Sequence, residues 1–164
     1  MNDHFDEEES EDTLKDKYLT FHIGNEDYGI EIRHVTEIIG IQEITDVPDT
    51  PAYIKGVINL RGKVIPILDV RLRFNMVAKE FDERTCVIVV RVEDVSVGLL
   101  VDTVSEVLSI PEVDIEAVSS RKGPERSGFV QAIGKVGNKI QILLDVRKLL
   151  FDGQYLVSDE QAGV

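Results

Sequence analysis

Apolar positions along this chain fall in short runs of strand length, separated by turn residues. After residue 16 the runs are YLTFHI (18–23), YGIEI (28–32), EIIGI (37–41), VINL (57–60) and KVIPIL (63–68). Val and Ile dominate them, and β-branched side chains suit a pleated, half-buried surface. Gly24-Asn25-Glu26-Asp27 predicts a turn between the first two runs, and a bend over 33–35 leads to the third. The third run has a period of two. Val35, Glu37, Ile39 and Ile41 share one face, and Thr36, Ile38 and Gly40 share the other. The first face should be core, which leaves Ile38 as a lone large apolar side chain among small neighbours. DVPDTP (46–51) predicts a loop, with one helical turn capped by Asp49 or Thr50 through Tyr53. Arg61-Gly62 predicts a tight turn, and Asp69 caps a short helix over 70–74. Pro66 inside a strand demands an edge or a bulge, since proline donates nothing to a ladder.

The same pattern then begins again. YIKGVINLRGKVIPILDVRLRF (53–74) aligns with FVQAIGKVGNKIQILLDVRKLL (129–150), so that Lys63, Leu68, Asp69, Val70 and Arg71 fall on Lys139, Leu144, Asp145, Val146 and Arg147. YLTFHI matches VIVVRV (87–92), and GIEIRHVTEIIGI (29–41) matches GLLVDTVSEVLSI (98–110). After a polar linker at 75–84, the second copy predicts strands at 85–92, 95–101, 106–110, 129–136 and 139–144, then an Asp145-capped helix. A charged, glycine-bearing loop over 111–128, containing RKGPERSG, lengthens this copy. Two units of about five short strands read as small barrels, and a repeat fixes the fold before anything else. Paired units also create a cleft between them.

Comparing the copies separates scaffold from specialisation. Gly62 falls on Asn138, and both suit positive φ in a hairpin turn. Arg61 falls on Gly137. Two compatible readings stay open: a bulged turn with only Gly62 left-handed, or an arginine presented as a contact. Val107, between Ser105 and Ser109, repeats the situation of Ile38. Either these two pack against the other unit, or they are exposed apolar contacts for other proteins.

Charge changes the picture only at the ends. Residues 1–16 hold eight acids against Lys15, a large part of the net charge of −13, so this head should be a disordered, solvated tail. Residues 152–164 form a second acidic tail. The body between is close to neutral, with no basic stripe and no Trp, and offers no footprint for nucleic acid. Cys86, the one cysteine, opens the run CVIVV and reads as a buried thiol. No basic segment followed by an apolar stretch marks a secretory signal, and no apolar run is long enough to span a bilayer, which suggests a soluble, cytoplasmic protein.

No catalytic constellation is visible. His4, His22 and His34 form no metal-ligand spacing with each other or with Cys86. Asp69 and Asp145 share one context, strand end into short helix, and are helix caps rather than paired catalytic carboxylates. The glycines around Gly123 and Gly128 lack the ending of a phosphate loop. No nucleophile–base pair can be argued. Neither enzyme activity nor a cofactor nor a metal is expected.

The order YGIEI, VTEIIGI, TPAYIKGVINLRGKVIPILDVR, VGLLVDTVSEVLSI resembles the CheW family, the coupling proteins of bacterial chemotaxis. The resemblance covers about 17–151, and IKGVINLRG is its most distinctive string. It implies an all-β fold of two intertwined five-stranded SH3-like β-barrels with short capping helices. The first barrel would lie mainly in 17–74 and the second mainly in 85–151, with strands partly exchanged. It implies a non-enzymatic adaptor that joins transmembrane chemoreceptors to the histidine kinase CheA, cytoplasmic and recruited to receptor arrays. CheA's regulatory domain is itself CheW-like and pairs barrel to barrel. By motif, the family's partner contacts carry over to Val35, Glu37 and Ile38 in VTEI, to Arg61 in NLRG, and to Gly98, Val104 and Val107 in VGLLVDTVSEV. The few residues after the second unit leave no room for a fused receiver domain. Met1 with an acidic leader points to a stand-alone adaptor rather than a piece of the kinase. The competing reading is a small-molecule or oligonucleotide-binding β-barrel, which would need a basic or aromatic face that six Phe and four Tyr do not supply.

Overall fold

A computed structural model describes residues 14–118 and 126–152. The expected disorder of 1–16 falls almost wholly outside these residues, as does most of the C-terminal tail. The strands are β1 (Lys17–Ile23), β2 (Glu26–Glu31), β3 (Val35–Gly40), β4 (Ile54–Leu60), β5 (Lys63–Asp69), β6 (Cys86–Val92), β7 (Val95–Val101), β8 (Thr103–Ser109), β9 (Ile115–Ala117), β10 (Val130–Val136) and β11 (Lys139–Leu144). Two short helices follow β5 and β11: α1 (Val70–Arg73) and α2 (Val146–Phe151).

The strands form a six-stranded sheet, β8-β1-β2-β11-β10-β9, and a five-stranded sheet, β3-β6-β7-β5-β4. Each sheet takes a hairpin from one copy and the remaining strands from the other. Strand β3 leaves β1 and β2 to pair with β6, and β8 leaves β6 and β7 to pair with β1. Those two joins between copies are antiparallel, and each sheet has a second join that is parallel: β5 on β7 from Ile67↔Gly98, and β11 on β2 from Ile142↔Tyr28. This is the pair of intertwined SH3-like barrels, each closed by strands of both copies.

The core explains the sequence pattern. Strand β6 is buried on both faces, so CVIVV is a continuous apolar run rather than an alternating one. Ile88, Val90 and Val92 enter the main core between the sheets with Phe21, Tyr28 and Leu99. Val87 and Val89 point the other way, into a second cluster with Ile58, Ile65, Ile67 and Leu100. The six-stranded sheet has its own smaller cluster of Tyr18, Ile110, Ala132 and Leu143. A chain of rings, Phe21–Tyr28–Phe74–Phe129, crosses the main core at centroid spacings of 5.9, 5.5 and 6.0 Å.

Both predicted caps form. Asp69 Oδ1 accepts from the Leu72 amide at 3.3 Å, and Asp145 Oδ1 from the Lys148 amide at 3.1 Å. The same two aspartates donate their own amides to Tyr53 O at 2.7 Å and Phe129 O at 2.8 Å. Arg73 then ties the copies together. Its guanidinium stacks on Tyr53 and on the repeat-equivalent Phe129, with centroids 4.2 and 4.7 Å away. It donates to Leu149 O and Lys148 O at the end of α2.

Several local expectations are corrected. Residues 50–53 form no helical turn; Ile54 N–H closes a turn on Pro51 O at 3.0 Å. Strand β9 lies inside the stretch expected to be loop, and β8 starts three residues earlier than its apolar run. The first hairpin turns on Gly24-Asn25 alone, because the β1–β2 ladder closes at Ile23↔Glu26. Cys86 is half-buried against the main core rather than inside it. Pro66 pairs with Val57, whose amide and carbonyl are both spent on Thr45. The missing proline N–H therefore faces the β7 side, where the ladder starts only one residue later.

Candidate functional site

Strand β3 presents the period-2 pattern that its sequence predicts. Val35, Glu37 and Ile39 are half-buried, and Thr36, Ile38 and Gly40 are exposed. Ile38 is 44% exposed, and its repeat partner Val107 on β8 is 49% exposed between the exposed Ser105 and Ser109. Both are therefore open apolar side chains and not packing between the units. They lie on different sheets, Ile38 opposite Ile88 and Val107 opposite Leu19. Val35 and Val104 pack at the edge of the main core.

Both strands carry a bulge at the start of this surface, one between Val35 and Glu37 and one between Leu19 and Phe21. Threonines fix both. Thr36 Oγ1 donates to Val89 O at 3.1 Å. Thr20 Oγ1 donates to Glu106 O at 2.7 Å and accepts from the Glu106 amide at 3.2 Å. A threonine in a strand has no sequence mark that distinguishes this duty.

Arg61 occupies the left-handed region at φ +53°, followed by Gly62 at φ +87°. The turn is thus primed at both central positions, and the expectation that only Gly62 is left-handed is corrected. In the second copy Gly137 has φ +62° and Asn138 lies outside that region, so the two hairpins turn differently. Asn59 Oδ1 holds the first turn by accepting from the Gly62 amide at 2.8 Å. The Arg61 guanidinium lies over β3 and pairs with the Glu37 carboxylate. Turn and strand are brought together by that contact.

Gly98 sits in the middle of β7 and is buried. A Cβ there would lie 2.6 Å from Val87 Cγ1 and 2.7 Å from Ile67 Cδ1. It presents no surface, and shapes the site only through packing. Gly56 is a second position that only glycine fills, at φ +146° with a Cβ site 2.2 Å from Thr45 O.

A separate groove of about 420 Å³ is lined by Glu31, Arg33, His34, Arg91, Gln131 and Arg147 among others. Its charges are matched. Arg33 donates to Glu31 at 2.6 Å, Arg91 to Asp94 at 2.8 Å, and Arg147 pairs with Glu93. Burial pushes the Glu31 carboxyl up, but hydrogen bonding and charge from Arg33, with the Gln131 hydrogen bond and His34, together outweigh it and leave it below its ordinary value. Burial, with Arg33 adding to it, lowers the His34 imidazole. Among the described residues no group of three or more His, Cys, Asp or Glu is placed to hold a metal. No described helix is long and apolar enough to cross a membrane.

Comparison with known proteins agrees with this architecture. The CheW-like domain family matches residues 17–153. The chemotaxis protein CheW of Klebsiella aerogenes is 37% identical over 92% of this chain and 91% of its own length. That of Helicobacter pylori is 33% identical over 88% of this chain and 86% of its own. The crystal structure of the scaffolding protein TtCheW from Thermoanaerobacter tengcongensis superposes with a TM-score of 0.79 at 32% identity, covering 87% of this chain and 97% of that one. A match spanning both copies, in sequence and in three dimensions, places this chain in the CheW-like family.

Proposed function

We propose that this protein is a non-enzymatic chemotaxis adaptor that couples membrane chemoreceptors to the histidine kinase CheA. The family membership supports the scaffold role, since relatives at 33–37% identity carry the name chemotaxis protein CheW and a solved relative is a scaffolding protein. The observation that carries a contact surface is the pair Ile38 and Val107, exposed at equivalent places on the two copies. Around them, Val35, Glu37, Arg61 and Val104 form the partner-binding set, with Gly98 acting from beneath. The protein works in the cytoplasm and reaches the membrane only through its receptors. A primary role as an oligonucleotide-binding barrel is not favoured, because the arginines of the groove are already paired with carboxylates.

An adaptor must hold two partners at once. Calorimetric titration of the full chain with a receptor cytoplasmic tip and with the CheA regulatory domain tests this. Binding of each in the presence of saturating amounts of the other is expected. Full displacement of one by the other sinks the adaptor reading.

A further inference from the structure

The two barrels differ inside, and the repeat supplies the comparison. In the five-stranded sheet the interior positions Ile58, Ile65 and Val89 are apolar and buried together. At the equivalent positions the six-stranded sheet carries Gly134, Gln141 and Thr20. Thr20 is satisfied by the backbone of Glu106. Gln141 is not: its side chain is 5% exposed, and its Oε1 accepts no hydrogen bond from any described residue. It lines a cavity of about 100 Å³ together with Thr20, His22, Asp27, Ser105 and Glu106, among others. The sister barrel fills the equivalent position with Ile65, so a polar residue is not required here by the shared fold.

The chemistry of the lining selects the occupant. An orphaned amide oxygen needs a donor. Asp27 and the exposed Glu106 are among the lining residues, and carboxylates accept only and favour positive charge. Asp27 already holds His22 Nδ1 at 2.6 Å, and Lys139 brings a positive charge to the lining. An anion would meet these carboxylates, and an apolar molecule would leave the oxygen without a partner. A volume near 100 Å³ is less than the ~150 Å³ that accommodates benzene, so only a small head group enters.

We infer that the mouth of the six-stranded barrel is a binding pocket for a small N–H-rich cation, an alkylguanidinium or alkylammonium group. This group is either a free molecule or the tip of an Arg or Lys side chain. The inference stands apart from the adaptor reading, because the pocket is measured without receptor or kinase.

The test is an amide-detected NMR titration of the full chain with methylguanidinium, ethylammonium and acetate, repeated with N-acetyl-arginine methylamide. The cations should give saturable shifts at the Gln141 side-chain amide and at residues 20–22 and 105–108, and acetate none. Saturation by the arginine derivative assigns the side-chain source. Saturation by methylguanidinium alone assigns a free ligand. Gln141→Ile, which imports the sister residue, should weaken binding at least tenfold while the denaturant midpoint holds or rises. Glu106→Gln, at the exposed rim, should weaken it several-fold with the fold untouched. Absence of saturable shifts, equal binding of acetate, or unchanged affinity in both variants overturns the proposal.

Discussion

Arg61 reaches across from the β4–β5 turn to Glu37 on β3, and does so from a left-handed backbone conformation. That conformation costs a non-glycine residue about 1–2 kcal/mol. The pair itself is exposed, with Arg61 at 68%, and such pairs contribute about 0–1 kcal/mol. Arg61→Ala keeps the strain and loses the pair, so stability should fall by no more than about 1 kcal/mol. Arg61→Gly removes both and should leave the denaturant midpoint close to that of the parent. Receptor-tip affinity should drop in both variants. A loss of stability beyond about 2 kcal/mol in Arg61→Ala would make the pair a structural lock instead of a contact.

Ile38 and Val107 should separate binding from stability. Truncating a fully buried isoleucine costs about 2–5 kcal/mol, as Ile88→Ala should. Ile38→Ala and Val107→Ala, being half-open to solvent, should cost below about 1 kcal/mol of stability. Each should weaken partner binding by about 1–2 kcal/mol if it anchors an interface. Urea midpoints and calorimetric affinities on the same samples decide the matter. Parent-like affinity in both variants removes this surface from the partner site.

Gly98→Ala should act on the fold first. Its added methyl meets Val87 and Ile67 side chains at under 3 Å. Overpacking of this kind costs about 1–3 kcal/mol. Gly56→Ala should cost more, because its methyl meets the Thr45 carbonyl, which is backbone, and the residue is held at φ +146°. Thermal denaturation ranks the two, and the reverse order would show that the Thr45 segment yields easily.

Asp102 is the least exposed of the carboxylates held below their ordinary values, which include Glu31 and Asp82, and acid sensitivity should be read there first. Burial pushes its carboxyl up, but hydrogen bonds from Arg71 and the Gly24 amide outweigh burial, with help from the Arg71 and Lys79 charges. The net shift is down. A carboxylate with a depressed folded-state value binds fewer protons folded than unfolded, so its stabilisation is present above the ordinary value near 3.8 and is lost as pH falls below it. Asp69 has the opposite sign, since burial outweighs its hydrogen bonds and raises it. Asp102→Asn should lower stability at pH 7 and flatten the acid limb of the stability curve below pH 4. An acid limb as steep as the parent's would place the responsible carboxylate elsewhere.

Much of this was readable from residues alone, and the gaps have physical causes. That Ile38 lies opposite the half-buried face of β3 follows from alternation, because side-chain period is a local property of a strand. That it and Val107 are open to solvent rather than packed between the units was settled only by the fold. The caps at Asp69 and Asp145 follow from one residue type at a strand end. Arg61 in the left-handed region was visible only as an anomaly against Gly137, since nothing in an arginine announces its φ. Strand β9 was hidden because three residues carry no period and Glu116 is charged. The burial of Gly98 was invisible because a glycine in a strand suits a tight contact and an open surface equally. That β3 pairs with β6 rather than β2 depends on backbone hydrogen bonds, which are the same for every sequence.

The exchange of strands between sheets has a consequence for ancestry. A single copy of the unit would send its third strand away from its own hairpin and leave that hairpin with an unpaired edge. Two identical copies would satisfy each other by trading those strands, as domain-swapped dimers do. The present chain has the topology of such a dimer with its two polypeptides joined through residues 75–84. Once fused, the halves no longer had to be identical. Ile65 against Gln141, and Arg61 against Gly137, are places where the two halves differ while both keep the fold.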